Sequence, residues 1–433
     1  MRTRARRWTV IVTAALLVLW AGAWLALRAF MPSDDELARR LEAMFEARTG
    51  QALVIGQLRW RLLGTPVVEV LDAHTQQDEP IRVRRIALHP QLLPLLRRQL
   101  VIDRLEVAGA QVPRDALRAL RGSAPVDDGN VVLRRLVFTD LTYTSYAGIP
   151  VEYSGEVRFD DDRLPRRVQI HRPGVEPPVT LDATRDGRTD NGAHIYRLEL
   201  KAAGGTASGQ AQLSTTDDGH LRLTGQLAPR QVEVQALLDA FHRRSFISGR
   251  ASGTTELRAE GETWGALARS LHTRSELTVD GGKILRIDVD KAVKSLGDDR
   301  AGETPLDSLS GVVETQNTEH GMKTEFSDVK AVAGSYSATG HATLYRKRLA
   351  AQGRLDIAGG AVGVPFAASG PTRKPEFKIA KGTIAGAAIG TVLLPGIGTA
   401  IGAQIGGAIS GPPDIEKDKE KEKEPSQPRR PPR

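Results

Sequence analysis

The chain has 433 residues, a net charge of +8, 60 Lys and Arg against 52 Asp and Glu, and no cysteine. The lack of cysteine excludes disulfides, thiolate metal sites and a cysteine nucleophile. The basic balance permits a nucleic-acid reading. However, the basic residues are spread over many segments and aromatics are only 5% of the chain, so anionic lipid headgroups are the expected counter-charge and no nucleic-acid partner is expected.

Trp8 to Leu27 carries no charged residue. A stretch of about 20 residues at about 1.5 Å rise matches a hydrocarbon core of about 30 Å. Arg2, Arg4, Arg6 and Arg7 precede it, and Arg28, Asp34, Asp35 and Glu36 follow. The positive-inside rule therefore predicts a cytoplasmic stub and transmembrane anchor over 1–30, with the rest outside the cytoplasm. The alternative is a cleaved signal peptide, with Ala21 and Ala23 as its A-x-A site. Against it, Trp24-Leu25-Ala26-Leu27 continues the apolar run past that site.

From Ser33 the pattern predicts an amphipathic helix. Ser33 suits the N-cap, Asp34, Asp35 and Glu36 the first turn, and Leu37, Leu41, Met44 and Phe45 one face, with an end near Thr49-Gly50. The bulk of the chain reads as short strands. Apolar and polar residues alternate in Tyr196–Ala202, Leu221–Thr224, Val157–Phe159, Val168–Ile170, Leu277–Val279 and Leu355–Ile357. Turn chemistry punctuates them at Asp128-Gly129-Asn130, Asp186-Gly187, Asp190-Asn191-Gly192, Asp217-Asp218-Gly219 and Asp280-Gly281-Gly282. Short helices are expected over Gln91–Arg98, Arg114–Arg121, Val232–Phe241, Trp264–Leu271 and Val289–Leu296. They are too few to cover every apolar strand face. The sheet must then curl on itself, pack on another sheet, or present its apolar face to a non-protein apolar partner.

Gly382 to Pro413 is free of charge. Gly382, Gly386 and Gly390 recur at four-residue spacing, as do Gly398, Gly402 and Gly406, and Pro395-Gly396 separates the two sets. Such stripes let helix backbones approach closely, which predicts a glycine-zipper helical hairpin over 379–413. Its readings are a second membrane attachment, self-association, or an apolar cover for one end of the sheet. As a hairpin it leaves the tail in the periplasm, and as a single inner-membrane crossing it puts the tail in the cytoplasm. Contact with the outer membrane is a third arrangement. Residues 414–433 alternate Lys with Glu or Asp and end rich in Pro and Arg, the composition of a disordered tail.

Catalytic signals are weak. The nine histidines are scattered without an i, i+4 metal pair. Gly205-Thr206-Ala207-Ser208-Gly209 is not a nucleophile elbow and reads as a strand turn. Gly281-Gly282-Lys283 lacks the rest of a phosphate loop and reads as a hairpin turn. Asp160-Asp161-Asp162 lacks calcium-loop spacing and reads as a solvated turn before Leu164-Pro165. No enzyme activity, cofactor or metal is expected.

Two regions resemble the AsmA family of Gram-negative envelope proteins, relatives of TamB. In the first, 31–121, the resemblance lies in Thr49–Gly56, Pro66–Val70, Ile81–Leu88 and, most specifically, Leu92-Leu93-Pro94-Leu95-Leu96-Arg97-Arg98-Gln99-Leu100. In the second, 246–378, it lies in Ser248–Leu257, Glu276–Ile284, Leu306–Gly311 and Val364–Pro371, which match in order and spacing. Between them stands a middle β region, 122–245, with generic alternation only. The chain is short for the family, and the glycine zipper is not a general family feature.

The resemblance implies an inner-membrane anchor and an elongated, curled antiparallel β-sheet in the periplasm. That sheet forms a half-pipe with an apolar interior, implicated in moving phospholipids toward the outer membrane and in maintaining it. On this reading Leu198, Leu200, Leu221, Leu223, Leu277, Val279, Leu355 and Ile357 line an acyl-chain groove, and membrane phospholipids are the partner. Periodicity alone favours a dry β core; the shortage of helices and the resemblance together bring the reading to the groove. The alternative function is a structural or assembly factor in outer-membrane protein biogenesis or protein targeting to a membrane.

Overall fold

The computed structural model describes residues 33–379, except 62–64, 96, 98, 115, 117–130, 146–147, 296–298, 319, 358–361 and 374. The expected anchor, glycine zipper and tail, the turn at Asp128-Gly129-Asn130 and most of the expected helix Arg114–Arg121 lie outside the described residues. Among the described residues no helix is long and apolar enough to cross a membrane.

Helix α1 (Asp34–Thr49) forms as its sequence predicts. The Ser33 Oγ accepts from the Glu36 N–H at 3.2 Å, and Gly50 ends it in the left-handed conformation at φ 69°. Leu37, Ala38 and Leu41 pack on the sheet. Met44 was expected on that face but is 53% exposed. At about 100° per residue the packed stripe centres on Leu41 and Ala38, which leaves Met44 at its margin.

The strands follow in three runs. The first holds β1 (Leu53–Val54), β2 (Gln57–Arg61), β3 (Val67–Thr75), β4 (Arg82–Pro90), β5 (Leu100–Pro113), β6 (Val131–Leu133), β7 (Arg135–Thr144) and β8 (Pro150–Phe159). The second holds β9 (Pro165–His171), β10 (Thr180–Arg188), β11 (His194–Ala202), β12 (Gly205–Thr215), β13 (Leu221–Arg230), β14 (Val232–Glu233), β15 (Ile247–Gly261) and β16 (His272–Ile284). The third holds β17 (Thr304–Pro305), β18 (Ser308–Thr318), β19 (Gly321–Ala333), β20 (Tyr336–Tyr345), β21 (Arg348–Ile357), β22 (Val362–Pro371) and β23 (Glu376–Ile379). Short helices α2 (Leu92–Leu95), α3 (Val234–Ala240), α4 (Trp264–Arg269) and α5 (Val289–Lys294) sit in the connections.

Among the described residues all 23 strands belong to one sheet. Strands adjacent in sequence pair in a meander, except within four pairs. These (β1 with β2, β6 with β7, β13 with β14, β17 with β18) share one side of a common partner and act as one interrupted strand each. At about 4.8 Å per position the sheet is on the order of 85 Å long, measured along its curve. Pairing is antiparallel except where β5 meets β6 and β7 in parallel. Among the described residues nothing pairs β1 or β2 with β23. The sheet is therefore curled but not closed.

Two contacts report the curl. Arg114, just past β5, donates to the Thr318 carbonyl at the end of β18 at 2.5 Å. Arg172, just past β9, lies under the Phe241 ring just past α3 at 5.1 Å.

Some expectations need correcting. Asp186-Gly187 is a bulge inside β10 rather than a turn, and the real turn is Thr189–Gly192. Asp280-Gly281-Gly282 and Gly281-Gly282-Lys283 are likewise not a hairpin turn; they lie within β16 opposite an irregularity at Ser248 to Arg250. Turn-forming residues serve equally well where one strand gains an extra residue. Gly205–Gly209 is strand β12 itself, following a turn at Ala203-Gly204. The helix expected over Gln91–Arg98 is only Leu92–Leu95, because the Pro94 carbonyl accepts from Arg97 and Gln99 N–H groups and turns the chain into β5. The helix expected from Val232 starts at Val234, since Val232-Glu233 pairs with β15.

Candidate functional site

In a ladder, paired residues share a face and residues two apart share it too. Following the register from β2 gives one long, mainly apolar face, interrupted on β15, β16 and β18 by the hydroxyl pairs Thr255–Ser275 and Thr273–Thr315. It runs Leu58 to Val70 to Ile86 to Val107 to Phe138, and on to Gly155 and Ile170. It then passes through Leu181, Leu200 and Ala207. In the last third Val279 pairs with Leu309, Leu309 with Ala331, Ala338 with Leu355, and Leu355 with Val364.

All eight groove candidates fall on this face. Leu198, Leu221 and Leu223 pack around a small core of Tyr196, Leu213, Ala259 and Leu267, the last delivered by α4. Thr263 caps α4 by accepting from the Ala266 N–H at 3.1 Å. Val279 is buried at 8% exposure. Leu200, Leu277, Leu355 and Ile357 are half-buried. The start of the face is covered by α1 over Leu58, Val70 and Ala73. The six glycines of the zipper lie outside the described residues.

Small residues shape the interior. A Cβ on Gly353 would stand 2.5 Å from the Phe366 Cζ across the β21–β22 ladder, and one on Gly155 would stand 2.7 Å from the Phe138 Cζ. In both places a phenyl ring lies over a glycine on the neighbouring strand, the arrangement that lets a sheet bend sharply without losing apolar cover.

The opposite face is charged. Arg85 bonds Glu69 at 2.5 Å, Arg167 bonds Asp182 at 2.6 Å, Arg222 bonds Glu260 at 2.9 Å, and Arg274 bonds Glu314 at 2.6 Å. The hydrogen bond from Arg167 holds the Asp182 carboxyl below the usual carboxylate range. A crease on this face passes through Asp72 (φ 53°), Gly109 (φ 64°) and Asp140 (φ 52°). Arg84 reaches Asp140 at 3.2 Å across it. The crease opens a polar cavity of about 520 Å³ lined also by His74, Arg82 and Glu152.

Polar groups cluster at the two ends of the middle strands. Asp160 and Asp162, read as a solvated turn, are engaged by Arg185, which reaches Asp162 at 2.6 Å and also bonds Asp160. Burial opposes ionisation of Asp162, but the Arg185 and Leu164 hydrogen bonds win and its carboxyl lies below the usual range. Tyr196 is buried and donates to the Pro165 carbonyl at 2.7 Å; burial pushes its phenol up to about 12. At the other end Arg172 is 6% exposed between Tyr153 and Phe241, and its Nη1 has no partner among the described residues. Sequence gave no signal for Arg172, because its ring partners come from distant segments. Tyr196 was visible only as one apolar step in an alternating run.

Among the described residues no group of three or more His, Asp or Glu is placed to hold a metal ion. What the face offers is a long, mainly apolar surface, partly open to solvent, with the Arg185–Asp160–Asp162 cluster at one end of its middle strands and the Arg172 stack at the other. No protein-family model, curated protein or solved structure matches the chain.

Proposed function

We propose that this chain is an AsmA-like, inner-membrane-anchored periplasmic protein that binds phospholipid acyl chains along its inner face and conducts them toward the outer membrane. The observation that carries this reading is the continuity of that face. One mainly apolar register runs from Leu58 to Val364, and Leu200, Leu277, Leu355 and Ile357 along it are only half-buried. A dry core would seal such residues; an acyl chain would complete their burial.

The physics suits passive conduction. Each methylene removed from water contributes about 0.8 kcal/mol, so a trough that shelters a chain at every position lowers the barrier to moving it. Headgroups stay in water along the open side of the trough. No bond is made or broken, so no catalytic group is called for. The resemblance of Ile81–Leu88 and Glu276–Ile284 to AsmA strands supports the same reading, since these segments supply β4 and much of β16.

The test is photo-crosslinking from Leu198 or Leu277 in the intact envelope, read by mass spectrometry. Lipid adducts at inward positions are expected. Efficient incorporation of the crosslinker with no lipid adduct at any inward position would reject the groove, and protein adducts in their place would favour the assembly-factor function.

A further inference from the structure

We infer that the sheet edge carrying Leu92 and Leu93 is a second, peripheral contact with the bilayer, distinct from the anchor. The inference rests on the reading of Trp8–Leu27 as a membrane anchor for its orientation, but not for its chemistry.

Leu93 is 79% exposed and its neighbour Leu92 39%. They are not on a loose loop. The Gln91 N–H donates to the Val101 carbonyl at 2.8 Å, the Gln91 side chain donates to Asp103 at 2.7 Å, and the Pro94 carbonyl closes the turn. Two leucines are thus held out in water on a short, hydrogen-bonded projection. A third apolar side chain, Val131, is 36% exposed and pairs with Leu100 at the start of β5, on the same edge. Arg61 and Arg97 are exposed there too.

The path of α1 sets the orientation. Glu42 accepts from the Ile55 N–H at 2.8 Å, and only Gln51 and Ala52 separate Gly50 from β1. The helix therefore runs antiparallel to β1 and β2. From Glu42 back to Ser33 it travels about 13 Å toward the Arg61 end of β2. Arg61 pairs with Val67, and Val68 with Leu88, so that end is also where β4 passes into Leu92-Leu93. The chain therefore enters Ser33 on the side of the edge that projects the leucines, and on the anchor reading that edge faces the bilayer. A bilayer facing that edge would meet leucines and valine at its interface and arginines at its headgroups, the pattern of a peripheral membrane contact.

The chain has no cysteine, so one introduced thiol can carry an environment-sensitive dye. The full chain with Leu93→Cys is labelled with NBD and reconstituted into vesicles of phosphatidylcholine and phosphatidylglycerol. Met322→Cys is the matched control, being 42% exposed beside Thr318, which meets Arg114 at the opposite end of β5. We expect a blue shift and loss of roughly half the emission to lipid-attached nitroxides at position 93, and neither at 322. Adding Leu92→Asp should abolish the shift. Water-like emission at position 93, indistinguishable from 322, overturns the inference. Alkaline carbonate extraction of the same vesicles judges the anchor separately. A lipid-like signal from an extractable chain keeps the edge and rejects the anchor; a water-like signal from a resistant chain does the reverse.

Discussion

The Arg172 guanidinium lies 5.1 Å from the centre of the Phe241 ring and 6.0 Å from that of Tyr153, joining the end of β9 to the end of α3. Its Nε donates to the Glu152 carbonyl at 3.3 Å, and its Nη1 is buried without a partner among the described residues. Two effects oppose each other. A desolvated cation–π contact is worth about 2 kcal/mol, whereas a buried charge without an anion costs several kcal/mol. Arg172→Met keeps the length and the ring contacts and removes the charge. We expect its stability, by urea denaturation, to lie within about 1 kcal/mol of the parent or above it. Arg172→Ala, which empties the space between the rings, should cost about 2–4 kcal/mol. A loss of that size in the methionine variant would mean that the charge itself holds the curl.

Gly353 and Gly187 separate the two uses of glycine in this sheet. An alanine at 353 would drive its Cβ into the Phe366 ring and the Thr339 carbonyl, and only the ring is able to yield. At 187 a Cβ meets nothing within 4 Å and the backbone is not left-handed. Gly353→Ala should therefore destabilise by about 1–3 kcal/mol. Gly187→Ala should be neutral or stabilise by about 0.4–1 kcal/mol through the unfolded chain. Paired thermal melts check both. Equal effects would show that the close approach at Gly353 relaxes freely.

These positions also explain what could be read from the chain alone. Alternation in Tyr196–Ala202 and Leu221–Thr224 is a local property of a strand with one wet face, so the strands and their shared apolar face were legible, and so was α1 from Ser33 to Gly50. Bulges were not. Asp186-Gly187 and Asp280-Gly281 carry the chemistry of turns, and only the partner strand decides whether the chain reverses or merely gains a residue. The parallel pairing of β5 with β7 and the Arg172 stack are products of long-range closure, which no local period encodes.

Tyr196 makes stability sensitive to alkali. Its phenol is buried against the Pro165 carbonyl and pushed up to about 12 from an ordinary value of 10.0. The folded state therefore holds this proton over a range in which the unfolded chain has lost it. The contribution is full below pH 10 and declines as pH rises toward 12, by at most about 3 kcal/mol at about 1.4 kcal/mol per unit. Tyr196→Phe should lose roughly 1 kcal/mol at neutral pH with the hydrogen bond, and should flatten the alkaline slope. Denaturation midpoints from pH 8 to 11.5 test this; an unchanged slope in the phenylalanine variant would assign the alkaline sensitivity to another group.

Leu277 and Thr278 are neighbours on β16 that face opposite ways, and they divide the two functional readings. Leu277 is half-buried between Gly253 and Gly311 on the flanking strands, while Thr278 is exposed. The partial exposure of Leu277 lets a glutamate carboxylate reach water, so Leu277→Glu should fold with a near-parental circular dichroism spectrum. A carboxylate there would nevertheless place a charge in the path of an acyl chain, where desolvating it costs several kcal/mol. On the lipid-conducting reading, Leu277→Glu should abolish lipid adducts formed from a photo-crosslinker at Leu355, further along the same face, while Thr278→Glu leaves them intact. Retention of those adducts in a folded Leu277→Glu chain would show that lipid reaches Leu355 without passing Leu277, and would reject conduction along the length of the face.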